Sequence, residues 1–432
     1  SLPESIAELV HLTELDVSNN MLQLLPQSVG AMTHLTSLIL NDNELLSLPA
    51  SFVQLSGLTT LALERNPLEN FPFAFVEQWT GLRQLSIDTE QPVVMPEGAV
   101  HSTTELMPLE VISQGMSKCQ EYRLRLQRSR ADGALDLSVM QLSFMPSSVL
   151  RMPLLTRLNL TGNSLLTIPD GITVLVSMRD LGLNDNRLST LPAPMAALTK
   201  LEMLSAMDNR LVSLAPDIGR VSSLVTLNLT NNPDLVCPPP EVCSQGVGDI
   251  LSFLSKISSG KTTGSIELSG LNLQLLCLPW QDLQSKLQAL VLSRNQLAAV
   301  PLEVDTCTNL TALWLDSNTL TGLPPSFGKL CALKSLALDL NQFAALPSCV
   351  CELTALERLT LDNNVLRFLH PRMSELQSLT LLSAANNRLT MLPASLASIG
   401  ALRSLTLAGN PLAPLPPGLR DRRDIDIDVE ML

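Results

Sequence analysis

The sequence predicts an α/β repeat solenoid, a horseshoe in which short parallel strands form a sheet along the concave face. A leucine-rich motif recurs along the chain, and most of its copies start 23 residues apart. Aromatic residues make up only 3% of the 432 residues, so leucine supplies most of the core. Within each copy, apolar and polar residues alternate over a short stretch, which is typical of a strand with one buried face.

The copy that starts at Leu35 shows the role of each position. Leu38 and Leu40 alternate with polar neighbours, which predicts the inward side of a short strand. Asn43 follows the strand, where its amide can satisfy backbone groups of the turn and of the adjacent coil. Pro49 stops the strand from continuing. Copies of this pattern start at Leu12, Leu35, Leu58, Leu155, Met178, Leu201, Leu224, Leu287, Leu310, Leu333, Leu356, Leu379 and Leu402.

The copies are grouped in blocks. Residues 110–115 match residues 241–246 at an offset of 131, and both segments lead into helical apolar spacing. We therefore expect repeats over 1–108, a helical insert over 109–131, repeats over 132–240, a second insert over 241–262 and repeats over 263–432. Met140 and Leu271 replace the asparagine after each insert, which leaves the stacking there open. Strict alternation over 425–429 predicts a final edge strand whose aspartates discourage edge-to-edge association.

The motif LxxLxLxxNxLxxLPxxhxxL resembles that of intracellular leucine-rich-repeat proteins of the Ras group. The insert that follows Asn232-Pro233 is similar to inserts that close repeat blocks in that group. The resemblance covers nearly the whole chain. It implies a leucine-rich-repeat horseshoe and a scaffold role in the cytoplasm, but it implies no particular partner.

Composition and motifs argue against several functions. The net charge of −13 disfavours nucleic acid and anionic membranes as ligands. The cysteines do not have the spacing of a zinc site, and they suit small buried positions. Residues 260–262 (Gly-Lys-Thr) are interpreted as a flexible turn and not as a phosphate-binding loop. We expect no catalytic residue, metal or cofactor, because the four histidines are expected to be far apart: His11, His34, His101 and His370.

The best candidate for a binding site lies on the last block of strands. Trp314 is expected on the concave face between Val291 and Ala337, beside a row formed by Asp316, Asp339 and Asp362. An aromatic anchor ringed by charge is typical of a protein-binding hot spot. The alternative is that the tryptophan lies flat on its neighbours and the aspartates are solvated. A smaller apolar patch is expected at Met203 and Met207 in the middle block.

The sequence therefore predicts a non-enzymatic signalling scaffold that binds a protein partner with a basic and apolar surface. Two alternatives stay open: the recognition arm of a larger kinase, GTPase or ubiquitin ligase, and a structural subunit of a cytoskeletal or ciliary assembly. A cluster of arginines in the first insert, at 123, 125, 128 and 130, is either a solvated helix face or a docking point for an acidic partner.

Overall fold

The computed structural model describes residues 1–68, 79, 82, 84–86, 108–112, 114 and 116–429, and these confirm the predicted α/β repeat solenoid. Each described repeat contributes one strand of three residues. The strands are β1 Glu14–Asp16, β2 Ser37–Ile39, β3 Thr60–Ala62, β4 Gln84–Ser86, β5 Ala134–Asp136, β6 Arg157–Asn159, β7 Asp180–Gly182, β8 Met203–Ser205, β9 Thr226–Asn228, β10 Ser265–Glu267, β11 Ala289–Val291, β12 Ala312–Trp314, β13 Ser335–Ala337, β14 Arg358–Thr360, β15 Leu381–Ser383, β16 Ser404–Thr406 and β17 Asp426–Asp428.

The strands form three parallel sheets, and the chain divides into two compact units. Unit 1 comprises Ser1–Leu211 and Ser223–Pro233, and it contains the sheets β1–β4 and β5–β9. Unit 2 comprises Val212–Ser222 and Asp234–Leu432, and it contains the eight-stranded sheet β10–β17. Strand order follows chain order in each sheet, because every coil pairs with the next one.

The return path of most coils is a short 3₁₀ turn that begins directly after a proline. The proline cannot donate to a strand ladder, so the chain leaves the sheet and closes the coil. At least one apolar residue of each five-residue turn from Ala50–Gln54 onward is buried, as Phe52 is in that turn. The turns are Glu4–Glu8, Gln27–Ala31, Ala50–Gln54, Val149–Arg151, Asp170–Val174, Ala193–Ala197, Pro216–Arg220, Leu302–Thr306, Pro325–Lys329, Ser348–Glu352, Pro371–Glu375 and Ala394–Ser398.

An asparagine ladder joins the coils, as the motif predicts. The Nδ2 group of Asn341 donates to the carbonyl oxygens of Leu315 and Leu338, and its Oδ1 accepts the Leu320 N–H at 3.0 Å. The same pattern recurs at the buried repeat asparagines, so each amide links its own turn to the preceding coil. Without it these buried backbone groups would lack partners, which is unfavourable.

Stacking continues after both inserts although the asparagine is replaced there. In unit 1, Asn163 of the following coil accepts hydrogen bonds from the N–H groups of both Met140 and Leu142. In unit 2, Asn295 does the same for Leu271 and Leu273. The stacking that the sequence left open is therefore maintained by a single amide oxygen from the next coil.

Both inserts are helical and run slightly beyond the predicted ends. The helices are α1 Leu109–Ile112, α2 Met116–Asp132, α3 Pro240–Cys243, α4 Val247–Thr263, α5 Trp280–Leu283 and α6 Pro417–Arg420. The flexible turn expected at 260–262 is wrong, because these residues form the last turn of α4. Gly260 lies so close to Ile266 that an added Cβ would be 2.2 Å from Cγ1 of that side chain, so the helix end packs directly on β10.

Helix α4 also packs on the 3₁₀ turn Pro216–Arg220 within unit 2. A Cβ at Gly219 would lie 2.3 Å from the backbone nitrogen of Ser255, and the Ser258 hydroxyl donates to Asp217 at 2.8 Å. No helix in the described part of the chain has the length and apolarity needed to cross a bilayer. The predicted final strand is confirmed as β17, which pairs with β16 and has Asp426 and Asp428 exposed.

Candidate functional site

The strand face of unit 2 is the outward side of β10–β17, where side chains alternate with the inward leucines. One row crosses this face along the register of the sheet. Val291 pairs with Trp314, and Trp314 pairs with Ala337. The row as a whole consists of Glu267, Val291, Trp314, Ala337, Thr360, Ser383, Thr406 and Asp428. The structure therefore places Trp314 beside the two neighbours that the repeat spacing predicts.

Trp314 is half-buried rather than fully exposed on this face. Val291, Ala312 and Ala337 around it are also half-buried. The ring thus covers part of its neighbours and keeps an accessible part. Its indole N–H has no hydrogen-bond partner among the described residues, so the polar edge of the ring is available to a ligand or to water.

The second row of the face, Asp316, Asp339 and Asp362, is here called the aspartate row. Each carboxylate accepts hydrogen bonds from an adjacent coil. Asp339 accepts the Asp362 N–H at 2.6 Å and the Thr360 hydroxyl, and Asp362 accepts the Ala385 N–H at 2.7 Å. The alternative in which these carboxylates are only solvated does not hold, because neighbouring coils supply hydrogen-bond donors at fixed positions.

The Ser383 hydroxyl also donates to Asp362, at 2.6 Å, and the Ser293 hydroxyl donates to Asp316. The aspartate row therefore joins the coil of β11 to that of β12, and the coils of β13, β14 and β15 to one another. It follows that replacing the three aspartates by lysine would remove acceptors from backbone N–H groups, so that change is not neutral for folding.

Asparagine occupies the same repeat position in two coils of unit 1 and makes the same bonds. Asn41 Oδ1 accepts the Glu64 N–H at 2.8 Å. Asn184 Oδ1 accepts the Met207 N–H at 2.9 Å and the Ser205 hydroxyl at 2.6 Å. At this position an amide oxygen makes such bonds as well as a carboxylate does, so the bonds do not require a negative charge. Three successive carboxylates in unit 2 are charge beyond what stacking requires.

The aspartate row carries an electrostatic cost. Burial raises the pKa of Asp339 above its ordinary value, and repulsion from Asp362 and Asp316 acts in the same direction. Hydrogen bonds from Thr360 and from the Asp362 N–H oppose this shift. Like charges on neighbouring strands are destabilising. The three carboxylates of the row therefore have an electrostatic cost that asparagine side chains at these positions would not have.

The predicted methionine patch belongs to unit 1. Met203 is 48% exposed on β8. Met207 lies beyond the end of that strand and is half-buried, with the Asn228 amide 3.8 Å from its sulfur. The patch is smaller than expected, because Met203 exposes only about half of its surface and Met207 is half-buried.

Two histidines lie close together. The rings of His11 and His34 are 6.4 Å apart, because the two residues occupy the same position in adjacent coils. The expectation that all four histidines are far apart is therefore wrong for this pair, and His101 lies outside the described residues. Within the described part of the chain no group of three or more His, Cys, Asp or Glu residues could hold a metal ion.

Several cysteines occupy buried repeat positions. Cys119, Cys307, Cys349 and Cys351 are buried, and all eight cysteines are free. Burial raises the pKa of Cys119 to about 12 and that of Cys351 to about 11. A thiol with a raised pKa is a poor nucleophile at neutral pH, so these side chains pack as small apolar groups.

The arginine cluster of α2 is only partly a solvated face. Arg125 donates to the Asp136 carbonyl at 3.1 Å and pairs with Glu121 at 2.5 Å, so it joins the helix to the next strand. Tyr122, which lies among the arginines in sequence, is buried, and its hydroxyl is 3.0 Å from the Ser148 hydroxyl. Arg128 and Arg130 are exposed.

A cavity of about 260 Å³ lies at the C-terminal end of α2. Arg130, Arg151, Met152, Leu154 and Leu155 are among the residues that line it. Sequence reasoning identified Arg130 but missed Arg151, because the two residues meet only when the coil after the insert closes. The available signal was the 131-residue offset, which aligns Arg130 with Lys261 of the second insert.

Family models of leucine-rich repeats match three segments of the chain. A model described as "Leucine rich repeat" matches residues 10–68 and 153–211, and a second leucine-rich-repeat model matches residues 309–330. A comparison with curated proteins gave no match.

Among the solved structures that the chain matches are two bacterial proteins and one plant protein. A leucine-rich-repeat protein of Leptospira interrogans is 25% identical, with 99% of this chain and 92% of that chain covered and a TM-score of 0.36. An internalin of Listeria monocytogenes is 17% identical, with 99% and 89% covered and a TM-score of 0.33. The Arabidopsis receptor kinase HAESA, in complex with a peptide hormone and a co-receptor, is 22% identical, with 100% and 64% covered and a TM-score of 0.33.

Proposed function

We propose that this leucine-rich-repeat solenoid is a non-enzymatic scaffold that binds a protein partner through the strand face of unit 2. The observation that carries the proposal is the aspartate row. Three successive coils place a carboxylate where Asn41 and Asn184 meet the same hydrogen-bonding need without charge. The fold does not need these negative charges, and they repel one another within the sheet. A ligand of opposite charge would account for them.

The partner's second feature follows from Trp314. A half-buried tryptophan with an unoccupied indole donor offers an apolar surface and one hydrogen bond. Small neighbours at Ala312 and Ala337 leave room for a side chain against the ring. The partner therefore presents an apolar side chain that contacts Trp314 and is flanked by Lys or Arg side chains near the aspartate row.

The two parts of the site contribute differently. Trp314 is the anchor, and removing a central aromatic anchor typically costs ~2 kcal/mol or more, which is a ~30-fold loss of affinity. The aspartate row speeds association with a basic partner, and this effect weakens as salt screens the charges. The row also rejects acidic competitors.

A selection of displayed random peptides on the full chain tests the proposal. We expect enriched peptides to contain an aromatic or aliphatic residue flanked by Lys or Arg. The affinity of these peptides should fall ~30-fold with Trp314→Ala. Replacing all three aspartates of the row by asparagine should slow association and reduce its salt dependence, while the hydrogen bonds to the adjacent coils are kept.

The matched control is Phe368→Ala, which removes another aromatic side chain of unit 2 that is 50% exposed and lies outside the strand face. This variant should bind the peptides like the wild type. Circular dichroism establishes that each variant is folded. If the enriched peptides bind the wild type, Trp314→Ala and the triple asparagine variant equally, the strand face of unit 2 is not the principal site.

We also propose that the scaffold is of the intracellular Ras-group type and acts in cytoplasmic signalling. The feature that supports this is the proline that follows the last inward residue of many repeats, as Pro301 and Pro324 do. Met203 in unit 1 would add a separate apolar contact. Fractionation of cells that express the tagged full-length protein tests the location, and recovery in the secreted fraction would contradict it.

A further inference from the structure

Three cysteines of unit 2 lie close together around the second insert. Cys237 precedes α3, Cys243 is the last residue of α3, and Cys277 lies between β10 and α5. The Cys237 thiol donates to the carbonyl oxygen of Cys277 at 3.6 Å, and the Cys277 thiol is itself hydrogen-bonded to Cys237. The Cys243 thiol donates elsewhere, to the carbonyl oxygen of Pro238 at 3.5 Å. Cys237 and Cys277, here called the thiol pair, are therefore held against each other although they are 40 residues apart in the chain.

The thiol pair is partly accessible from solvent. Both of its residues are half-buried, whereas Cys349 and Cys351, which share one 3₁₀ turn, are buried. The backbone of Cys237 is held in place, because the Leu214 N–H donates to its carbonyl oxygen at 2.8 Å. Partial exposure is typical of reactive cysteines. A small oxidant can therefore reach the thiol pair, and the fold sets the position of the Cys237 backbone before any reaction.

Stacking of the coils does not require thiols at these places. The 131-residue offset between the inserts aligns Cys237, Cys243 and Cys277 with Leu106, Ile112 and Pro146. The coil that follows the first insert is nevertheless stacked on the next one through Asn163. The three cysteines are therefore a feature of the second insert that the shared repeat pattern does not explain.

The two thiols of the pair hold their protons differently. The hydrogen bond to Cys237, together with burial, raises the pKa of Cys277. Cys277 therefore keeps its proton at neutral pH and can donate it to the Cys237 sulfur. Since the thiolate is the nucleophile and a neighbouring S–H donor stabilises it, Cys237 is the sulfur that attacks first. Burial also raises the pKa of Cys243, so a Cys243 thiolate competes poorly.

We propose that the thiol pair is a redox-sensitive site that a small disulfide, such as oxidised glutathione, converts into a Cys237–Cys277 disulfide. The Cys237 thiolate attacks one sulfur of oxidised glutathione, forms a mixed disulfide and expels one glutathione thiolate. Cys277 then attacks the Cys237 sulfur and expels the second glutathione. The two thiols lose two protons and two electrons, and one oxidised glutathione becomes two reduced molecules. Excess reduced glutathione reverses the reaction, as is typical of redox-sensing disulfides.

The test is oxidation of the full chain at a series of ratios of oxidised to reduced glutathione, followed by alkylation of free thiols and peptide mass spectrometry. We expect the Cys237–Cys277 disulfide to form first. Cys277→Ser should stop at the mixed disulfide of Cys237 with glutathione, whereas Cys237→Ser should leave Cys277 as a thiol. The matched control is Cys243→Ser, which removes a nearby thiol outside the pair and should form the disulfide like the wild type. Circular dichroism establishes that each variant is folded.

Hydrogen exchange measures what the disulfide does to the insert. The disulfide closes a loop that contains α3, α4 and β10, so it restricts the opened states of this segment. We expect the amide hydrogens of α4 to exchange at least about tenfold more slowly in the oxidised wild type than in the reduced one. Cys277→Ser treated in the same way should show no such slowing.

Five results would overturn the proposal. The thiol pair stays reduced at ratios at which the exposed Cys331 is already coupled to glutathione, or Cys237 pairs with Cys243 in the wild type. The disulfide is lost in Cys243→Ser, or exchange in α4 is the same in both redox states. The buried cysteines of the turn Ser348–Glu352 are oxidised as readily as the pair, which would assign the reaction to the unfolded chain.

Discussion

Replacing Asn186 by alanine measures what one ladder asparagine contributes. Its Nδ2 group donates to the carbonyl oxygens of Leu160, Leu183 and Asn184 at 3.0, 3.1 and 2.9 Å, and its Oδ1 accepts the Leu165 N–H at 3.0 Å. Each hydrogen bond contributes ~1 kcal/mol net, and a buried N–H without a partner costs a further ~1–3 kcal/mol. We expect Asn186→Ala to lower the free energy of unfolding of unit 1 by ~3–5 kcal/mol.

The first coil provides a matched control in the same unit. Asn20 occupies the same repeat position, but it is exposed and donates only to the carbonyl oxygens of Val17 and Ser18, both at 3.0 Å. Water can replace these bonds, so Asn20→Ala should cost less than ~1 kcal/mol. Urea unfolding followed by circular dichroism compares the two variants. Equal losses would refute the reasoning that bonds to the preceding coil give the asparagine its large effect.

Three further predictions follow from the structure. Burial raises the pKa of Asp339 above 3.8, so the charge of this side chain lowers the stability of the protein at neutral pH. Asp339→Asn should therefore raise the midpoint of thermal unfolding at pH 7, and the difference from the wild type should shrink as the pH falls toward 3.8. A difference that stays constant with pH would contradict this assignment. Gly219→Ala should destabilise unit 2, because the new Cβ would meet backbone atoms at 2.3 and 2.8 Å. The control is Gly248→Ala, which has open space around the new Cβ and should stabilise α4 by ~0.5–1 kcal/mol. Urea midpoints that shift alike in the two variants would rule out the clash. Replacing both Asp426 and Asp428 by valine should promote self-association through β17, as measured by sedimentation, and a variant that stays monomeric at high concentration would exclude that role.

Periodicity alone determined the fold of the described residues. Trp314 could be placed between Val291 and Ala337, and Ile425–Val429 could be recognised as a strand, because a repeat of constant length brings equivalent positions side by side. The inserts were recognised from the 131-residue offset. The repeat pattern could not locate their ends, since packing of Gly260 against Ile266 keeps residues 260–262 helical.

Only the tertiary structure decided what the outward side chains do, because the motif constrains the inward positions and leaves the others free. The sequence placed Asp316, Asp339 and Asp362 in one row, but their bonds to adjacent coils depend on atoms that approach only when the coils stack. Arg130 and Arg151 meet for the same reason: the chain must turn from α2 through β5 before it returns to the same cavity. Residues that share a repeat position are neighbours by translation, whereas residues at unrelated positions become neighbours only through the path of the folded chain.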